Sequence, residues 1–146
     1  MKYPTRVSDA VHIMVFIYLN PTQDLSSVAI AYSIKTNPSY VRQLMAALKK
    51  AGLLNGTRGQ AAPSLAQEPS AITLLDIYRA VEGDKPLLHL DTHTNPACGV
   101  GVNIQLALSD YYAEIQKSAE KRMNEITLEN IIETYYQYVQ EVAAPH

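Results

Sequence analysis

The 146-residue sequence has a single cysteine, Cys98. One thiol excludes an internal disulfide framework and a zinc ribbon or finger built within one chain. Apolar runs are short: the longest, Val11 to Leu19, is nine residues and contains His12, against the roughly 20 that a membrane helix needs. The beginning of the chain carries Lys2, Arg6 and Asp9, and no small-residue cleavage site follows the apolar stretch. A secretory leader is therefore not expected, and the expected compartment is the cytosol. There is no glycine-rich phosphate loop, no nucleophile elbow and no Ser/His/Asp pattern. Carboxylate pairs such as Asp110 and Glu114 read as the solvated face of a helix, so no enzymatic activity is expected. Internal repeats and low-complexity stretches are also missing.

What is present is 47% apolar and 18% charged, which excludes a disordered or fibrous chain. The length suits one domain, or a small domain with an appendage. The net charge of −2 hides an asymmetry. Residues 1–60 hold seven basic groups against Asp9 and Asp24, a net +5, whereas residues 61–146 hold five against twelve acidic ones, a net −7. A basic first half suits a polyanionic partner.

Helical periodicity dominates. Val7, Ala10, Val11, Met14, Val15, Ile17 and Tyr18 mark a first helix closed by Asn20-Pro21. Ser26 or Ser27 caps a short second helix, which ends at Ile34-Lys35-Thr36. Asn37-Pro38 is an N-cap and first-position pair, opening a third helix that runs to about Ala51, where Gly52 stops it. Val41, Leu44, Met45 and Leu48 form its buried stripe, leaving Ser39, Tyr40, Arg42, Gln43, Ala46 and Lys50 on other faces. Leu53 to Leu65 reads as two short strands around a glycine-containing connection, a hairpin or wing. Ser70 is the expected cap of a fourth helix, Ala71 to Val81, stopped by Gly83. A polar loop, Asp84 to Val102, precedes a long helix over about Asn103–Glu125 with Ile104, Leu108, Tyr111, Ile115, Ala119 and Met123 on one side. Thr127 restarts a last helix. The expected fold is mainly α with a small β-wing: a winged helix-turn-helix over 1–83, a candidate sensor loop over 84–102, and dimerisation helices over 103–146.

A recognition helix offers the side chains of its first turns to base edges in the major groove. Ser39, Tyr40, Arg42 and Gln43 occupy that position, and Arg58 at the base of the wing is suited to phosphate or the minor groove. Lys35, Lys49 and Lys50 add salt-sensitive attraction. The same residues also suit an ordinary solvated helix face.

Three blocks carry a resemblance. Ser39-Tyr40-Val41-Arg42-Gln43-Leu44 with Leu48-Lys49-Lys50-Ala51-Gly52-Leu53-Leu54, then Arg58-Gly59, then Ile72 to Gly83 resemble the Rrf2 family of bacterial winged-helix transcription regulators, in family order and spacing over about residues 1–135. The resemblance implies a homodimer that binds pseudo-palindromic double-stranded DNA and usually represses. It also implies DNA-contacting roles for Tyr40 and Arg58. The chain departs from the family at the wing tip, where Gln60-Ala61-Ala62-Pro63 replaces a glycine-rich turn, and in the loop before the long helix. There the cluster-binding members have three cysteines, and this chain has Cys98 alone. Iron–sulfur clusters usually take four ligands, mostly thiolate, so no cluster and no other cofactor is expected.

Cys98 has two readings. Gly99 and Gly101 leave its surroundings open and the long helix starts nearby, which favours a reactive sensor thiol. No Lys or Arg lies within ten positions, which favours a small apolar filler. His89, Asp91, His93 and Cys98 resemble a transition-metal ligand set, but their spacing is irregular and a self-bonded polar loop explains them equally. His12 reads as a core or interface histidine. The apolar side of the long helix is too extended for a small domain to cover, so a twofold dimer is expected, with its recognition helices one DNA turn apart. A signal at the loop would then tilt the long helix. The alternative is a dimeric interaction module of the same fold that regulates a partner protein and has lost DNA binding.

Overall fold

A computed structural model describes residues 4–20, 24–56 and 62–143 of the chain. Six helices and a two-stranded hairpin follow one another: α1 (Arg6–Leu19), α2 (Ser27–Ile34), α3 (Pro38–Lys50), β1 (Leu54–Asn55), β2 (Ser64–Leu65), α4 (Leu74–Glu82), α5 (Gly99–Glu125) and α6 (Leu128–Ala143). The strands pair antiparallel with Leu54 opposite Leu65 and Asn55 opposite Ser64. Helix-turn-helix, hairpin and long helix are thus arranged in the expected order.

Local chemistry explains the boundaries in the first half. The Ser26 hydroxyl accepts the Ala29 N–H at 3.2 Å, and the Asn37 side chain accepts the Tyr40 N–H at 2.8 Å. Each satisfies a donor that the first helical turn leaves without a partner. The end of α3 is sealed by two reversed bonds, Leu53 N–H to the Leu48 carbonyl and Gly52 N–H to the Lys49 carbonyl, both 3.0 Å. That pairing puts Gly52 at a φ of 78°, where glycine carries no steric penalty. At the end of α2 the same task falls to Lys35, at a φ of 68°, which costs a residue with a Cβ roughly 1–2 kcal/mol.

The core joins α1, α2, α3, α4 and the start of α6. Ile13, Met14, Ile30, Val41, Leu44, Leu48, Ile72, Ile77 and Leu128 are fully buried, each contributing on the order of 1.5–3 kcal/mol of hydrophobic burial. The expected α3 stripe of Val41, Leu44, Met45 and Leu48 is buried throughout.

Two boundaries differ from expectation. The fourth helix is capped by Thr73, not Ser70, and Pro69–Ala71 forms a single 3-10 turn. Ile72 and Thr73 stay extended because they pair with a distant segment. The Leu128 N–H donates to the Ile72 carbonyl and the Leu74 N–H to the Ile126 carbonyl, both at 2.8 Å, with Thr73 opposite Thr127. The Thr73 side chain and Asp76 then close a reciprocal capping box.

The long helix begins at Gly99, four residues before the expected Asn103. Two glycines cost about 1 kcal/mol each inside a helix. Here they sit in the first turn, after a tight turn in which Asn95 accepts the N–H groups of Ala97 and Cys98. None of the 27 residues of α5 is buried. Its expected apolar side is divided: Leu108, Ala119 and Met123 are partly covered, whereas Ile104, Tyr111 and Ile115 are exposed together with Val100. At 100° per residue these four exposed side chains fall within an arc of about 60°.

Candidate nucleic-acid interface

The buried stripe of α3 fixes which of its side chains can meet a partner. Ser39, Arg42, Gln43, Lys49 and Lys50 all stand in solvent. Ser39, Arg42 and Gln43 lie in the first turn and a half of the helix. Arg42 Nη1 donates to Ser27 Oγ at 3.1 Å, so the guanidinium bridges the first turns of α2 and α3 and retains further N–H donors for an acceptor outside. The stem and ammonium of Lys49 lie along the start of the wing, where a Cβ at Gly56 would come within 3.5 Å of Cε. Gly56 itself has a φ of 134°, a conformation that only glycine enters freely. Arg58, the expected wing arginine, lies outside the described residues.

Tyr40 departs from the expected outward position. It is half-buried, and its hydroxyl donates to Asp9 Oδ2 of α1 at 2.9 Å, where Thr5 also donates at 3.1 Å. Its neighbours Val41 and Leu44 draw this side of α3 against α1, and the phenol follows them. Burial, then the bond to Asp9 and that carboxylate's charge, raise the Tyr40 phenol above its ordinary value. As placed, the hydroxyl braces α3 on α1. Pattern reading had no route to this, because the residue identities do not reveal that Asp9 and Tyr40 face each other across 31 positions.

Ser27 was likewise missed as the partner of Arg42. Val28 and Tyr32 of α2 also point outward, 64% and 89% exposed. In the turn before α2, Asp24 accepts the Ser26 N–H at 2.9 Å. That bond, with the Ser26 hydroxyl second, holds its carboxyl below the usual value.

The loop between α4 and α5 does not assemble a metal centre among the described residues. His89, His93 and Cys98 are all exposed. Asp91 approaches His93 Nδ1 only to 3.9 Å, while its Oδ1 accepts the His93 N–H in a local turn. Cys98 immediately precedes α5 and its side chain makes no cap bond.

A helix-turn-helix whose second helix presents polar and cationic side chains, followed by a hairpin and a long helix, defines a winged-helix regulator. The chain matches the Rrf2 family, described as iron-dependent transcriptional regulators, over residues 3–134. It belongs to that family, and it is a transcription regulator of the DNA-binding winged-helix type. It is 34% identical to YwnA of Bacillus subtilis (strain 168), named as an HTH-type transcriptional regulator, over 88% of this chain and 95% of that one. Among solved structures it is similar to T. potens IscR, with a TM-score of 0.67 and 26% identity over 100% of this chain and 93% of that one. It is also similar to CymR, the global cysteine regulator of B. subtilis, with a TM-score of 0.63 and 25% identity over 90% and 95%. No helix among the described residues is long and apolar enough to cross a membrane.

The family's description names iron, and the thiols of this chain are fewer than an iron–sulfur cluster ordinarily takes. An iron–sulfur cluster usually draws on four ligands, mostly thiolates. This sequence offers one, exposed, with no convergent His, Asp or Glu partners among the described residues.

Proposed function

We propose that the protein is a sequence-specific repressor that binds a pseudo-palindromic duplex as a homodimer, without an iron–sulfur cluster. Ser39, Arg42 and Gln43 would meet base edges, Tyr40 would orient the helix, and Lys50 and Arg58 would meet phosphates. The carrying observation is the sidedness of α3. Its apolar stripe is fully used in the core, while its outward face offers serine, arginine, glutamine and two lysines and no acidic residue. Such a face lowers the cost of approaching a polyanion and supplies donors matched to purine edges.

Dimerisation is supported by α5. It is about 40 Å long at 1.5 Å per residue and exposes the stripe of Val100, Ile104, Tyr111 and Ile115, which a second copy would bury. Cys98 sits where the loop meets this helix, so oxidation or alkylation there is the proposed input. Repression follows if the operator overlaps a promoter.

A gel shift on the region upstream of the protein's own gene, at two salt concentrations, tests the reading. Binding should weaken steeply with salt and fall on Arg42→Ala by about 1–3 kcal/mol, with relaxed specificity. Sedimentation should give a dimer that Tyr111→Glu dissociates. Salt-insensitive or absent DNA binding by an intact dimer would instead favour a module that regulates a protein partner.

A further inference from the structure

The winged domain grips α5 at two places. At the far end, the backbone pairing of Ile72 and Leu74 with Ile126 and Leu128 fixes the point where α5 gives way to α6. Nearer the middle, α4 meets α5 through side chains. Arg79 Nη2 donates to Glu120 Oε1 at 3.0 Å. One turn earlier on α5, Gln116 Nε2 donates to the hydroxyl of Tyr78 at 3.2 Å, and Tyr78 is only 4% exposed. That hydroxyl donates in turn to the Lys85 carbonyl, and Gln116 Oε1 accepts the Leu87 N–H at 2.9 Å.

The circuit has one self-consistent arrangement. The phenol spends its single proton on the Lys85 carbonyl, so it can only accept from Gln116. Leu87 is a backbone donor, so it requires the amide oxygen. Gln116 therefore holds three elements at one point: α4, the loop after it, and α5. Eleven residues earlier on the same face, Gln105 Oε1 accepts the Asp91 N–H at 3.2 Å, so the loop runs antiparallel along the helix.

We propose that Gln116, with Tyr78, is a positioning residue for DNA binding. It sets the angle of α5 on the winged domain, and so the separation of the two recognition helices in a dimer. The proposal rests on the reading of α3 as the DNA-contacting helix of a homodimer. The lever is long. From Gln116 to Gly99 is about 26 Å of helix at 1.5 Å per residue. A 10° tilt at the joint thus moves the free end by about 4–5 Å, more than the roughly 3.4 Å step between base pairs. Because Lys85 and Leu87 are built into the joint, displacement of the loop acts on that angle directly.

The test uses the full-length chain and duplexes that the wild type selects from a random pool. The selected site is then lengthened or shortened at its centre by one and two base pairs. The wild type should prefer one spacing, losing about tenfold per base-pair change. Gln116→Ala should flatten this profile to within about threefold, at a cost of about tenfold on the best site. Tyr78→Phe, which deletes one oxygen, should do the same. The double variant should cost less than the sum of the two singles, since the Gln116–Tyr78 bond is lost in both.

A Gln116→Ala protein that keeps the sharp profile, or that weakens every spacing in proportion, overturns the proposal. If that variant melts below the assay temperature, Tyr78→Phe decides on the same criteria. A wild type that selects no duplex overturns the DNA reading and this proposal with it. A wild type with a sharp profile that the variants share overturns only the positioning role.

Discussion

Tyr40 is the residue on which a DNA-reading role and a bracing role diverge most clearly, and Tyr40→Phe separates them. The substitution keeps the ring in place and deletes the hydroxyl that donates to Asp9 Oδ2 at 2.9 Å. A hydrogen bond to a charged group contributes roughly 1.5–3 kcal/mol net when buried. Asp9 keeps the Thr5 donor at 3.1 Å and the site is only half-buried, so about 1–1.5 kcal/mol is the expected loss. For a domain near 150 residues that corresponds to about 2–5 °C in Tm. The acid–base behaviour supplies a second signature. The Tyr40 phenol is raised in the folded state by burial and by Asp9, so its neutral form is the one the fold favours. That contribution is fully present below the ordinary value of about 10 and is lost as pH rises through the folded value. The stability gap between wild type and Tyr40→Phe should therefore be constant through neutral pH and close in alkali. Urea unfolding at fixed protein concentration, from neutral pH to about 11, measures both effects. Affinity for the selected duplex, well below Tm, should change by less than about threefold, since no phosphate or base donor is lost. A variant of unchanged stability that binds DNA tenfold more weakly would refute this reasoning and return the hydroxyl to the DNA.

Lys35→Gly, which relieves a φ of 68° at the end of α2, should raise stability by up to about 1 kcal/mol in urea unfolding. Leu48→Ala, at a fully buried position in the α3 stripe, should cost about 2–5 kcal/mol by the same measurement. Asp24→Asn should flatten the acid limb of a pH series of melting temperatures. The Asp24 carboxyl is held low by the Ser26 N–H, so its contribution is present above its ordinary value and disappears as pH falls through the lowered one.

The elements legible in the sequence are those whose signals are local. The α3 stripe is written in four apolar residues at helical spacing, its start in Asn37-Pro38 and its end in Gly52, and all three survive in the structure. The errors arise where a distant partner decides. Ser70 looks like a cap, but Ile72 and Thr73 are held extended by Ile126–Leu128, more than fifty residues away. Asp9 and Ser27 look like ordinary helix residues until the fold brings them to Tyr40 and Arg42. Gln116 carries no sequence signal, since a glutamine on an amphipathic helix is indistinguishable from solvated surface until its neighbours are known.

The way the loop is held bears on how a chain in a family described by its iron can offer a single thiol. Lys85, Leu87 and Asp91 are fastened to Tyr78, Gln116 and Gln105 through their backbone carbonyl or amide groups. Those bonds are indifferent to which side chains the loop carries. Ligand side chains can therefore be lost from such a loop without loosening the joint between α4 and α5. On the proposed reading, a modification at Cys98, which immediately precedes α5, would reach that joint along the helix and would need no metal.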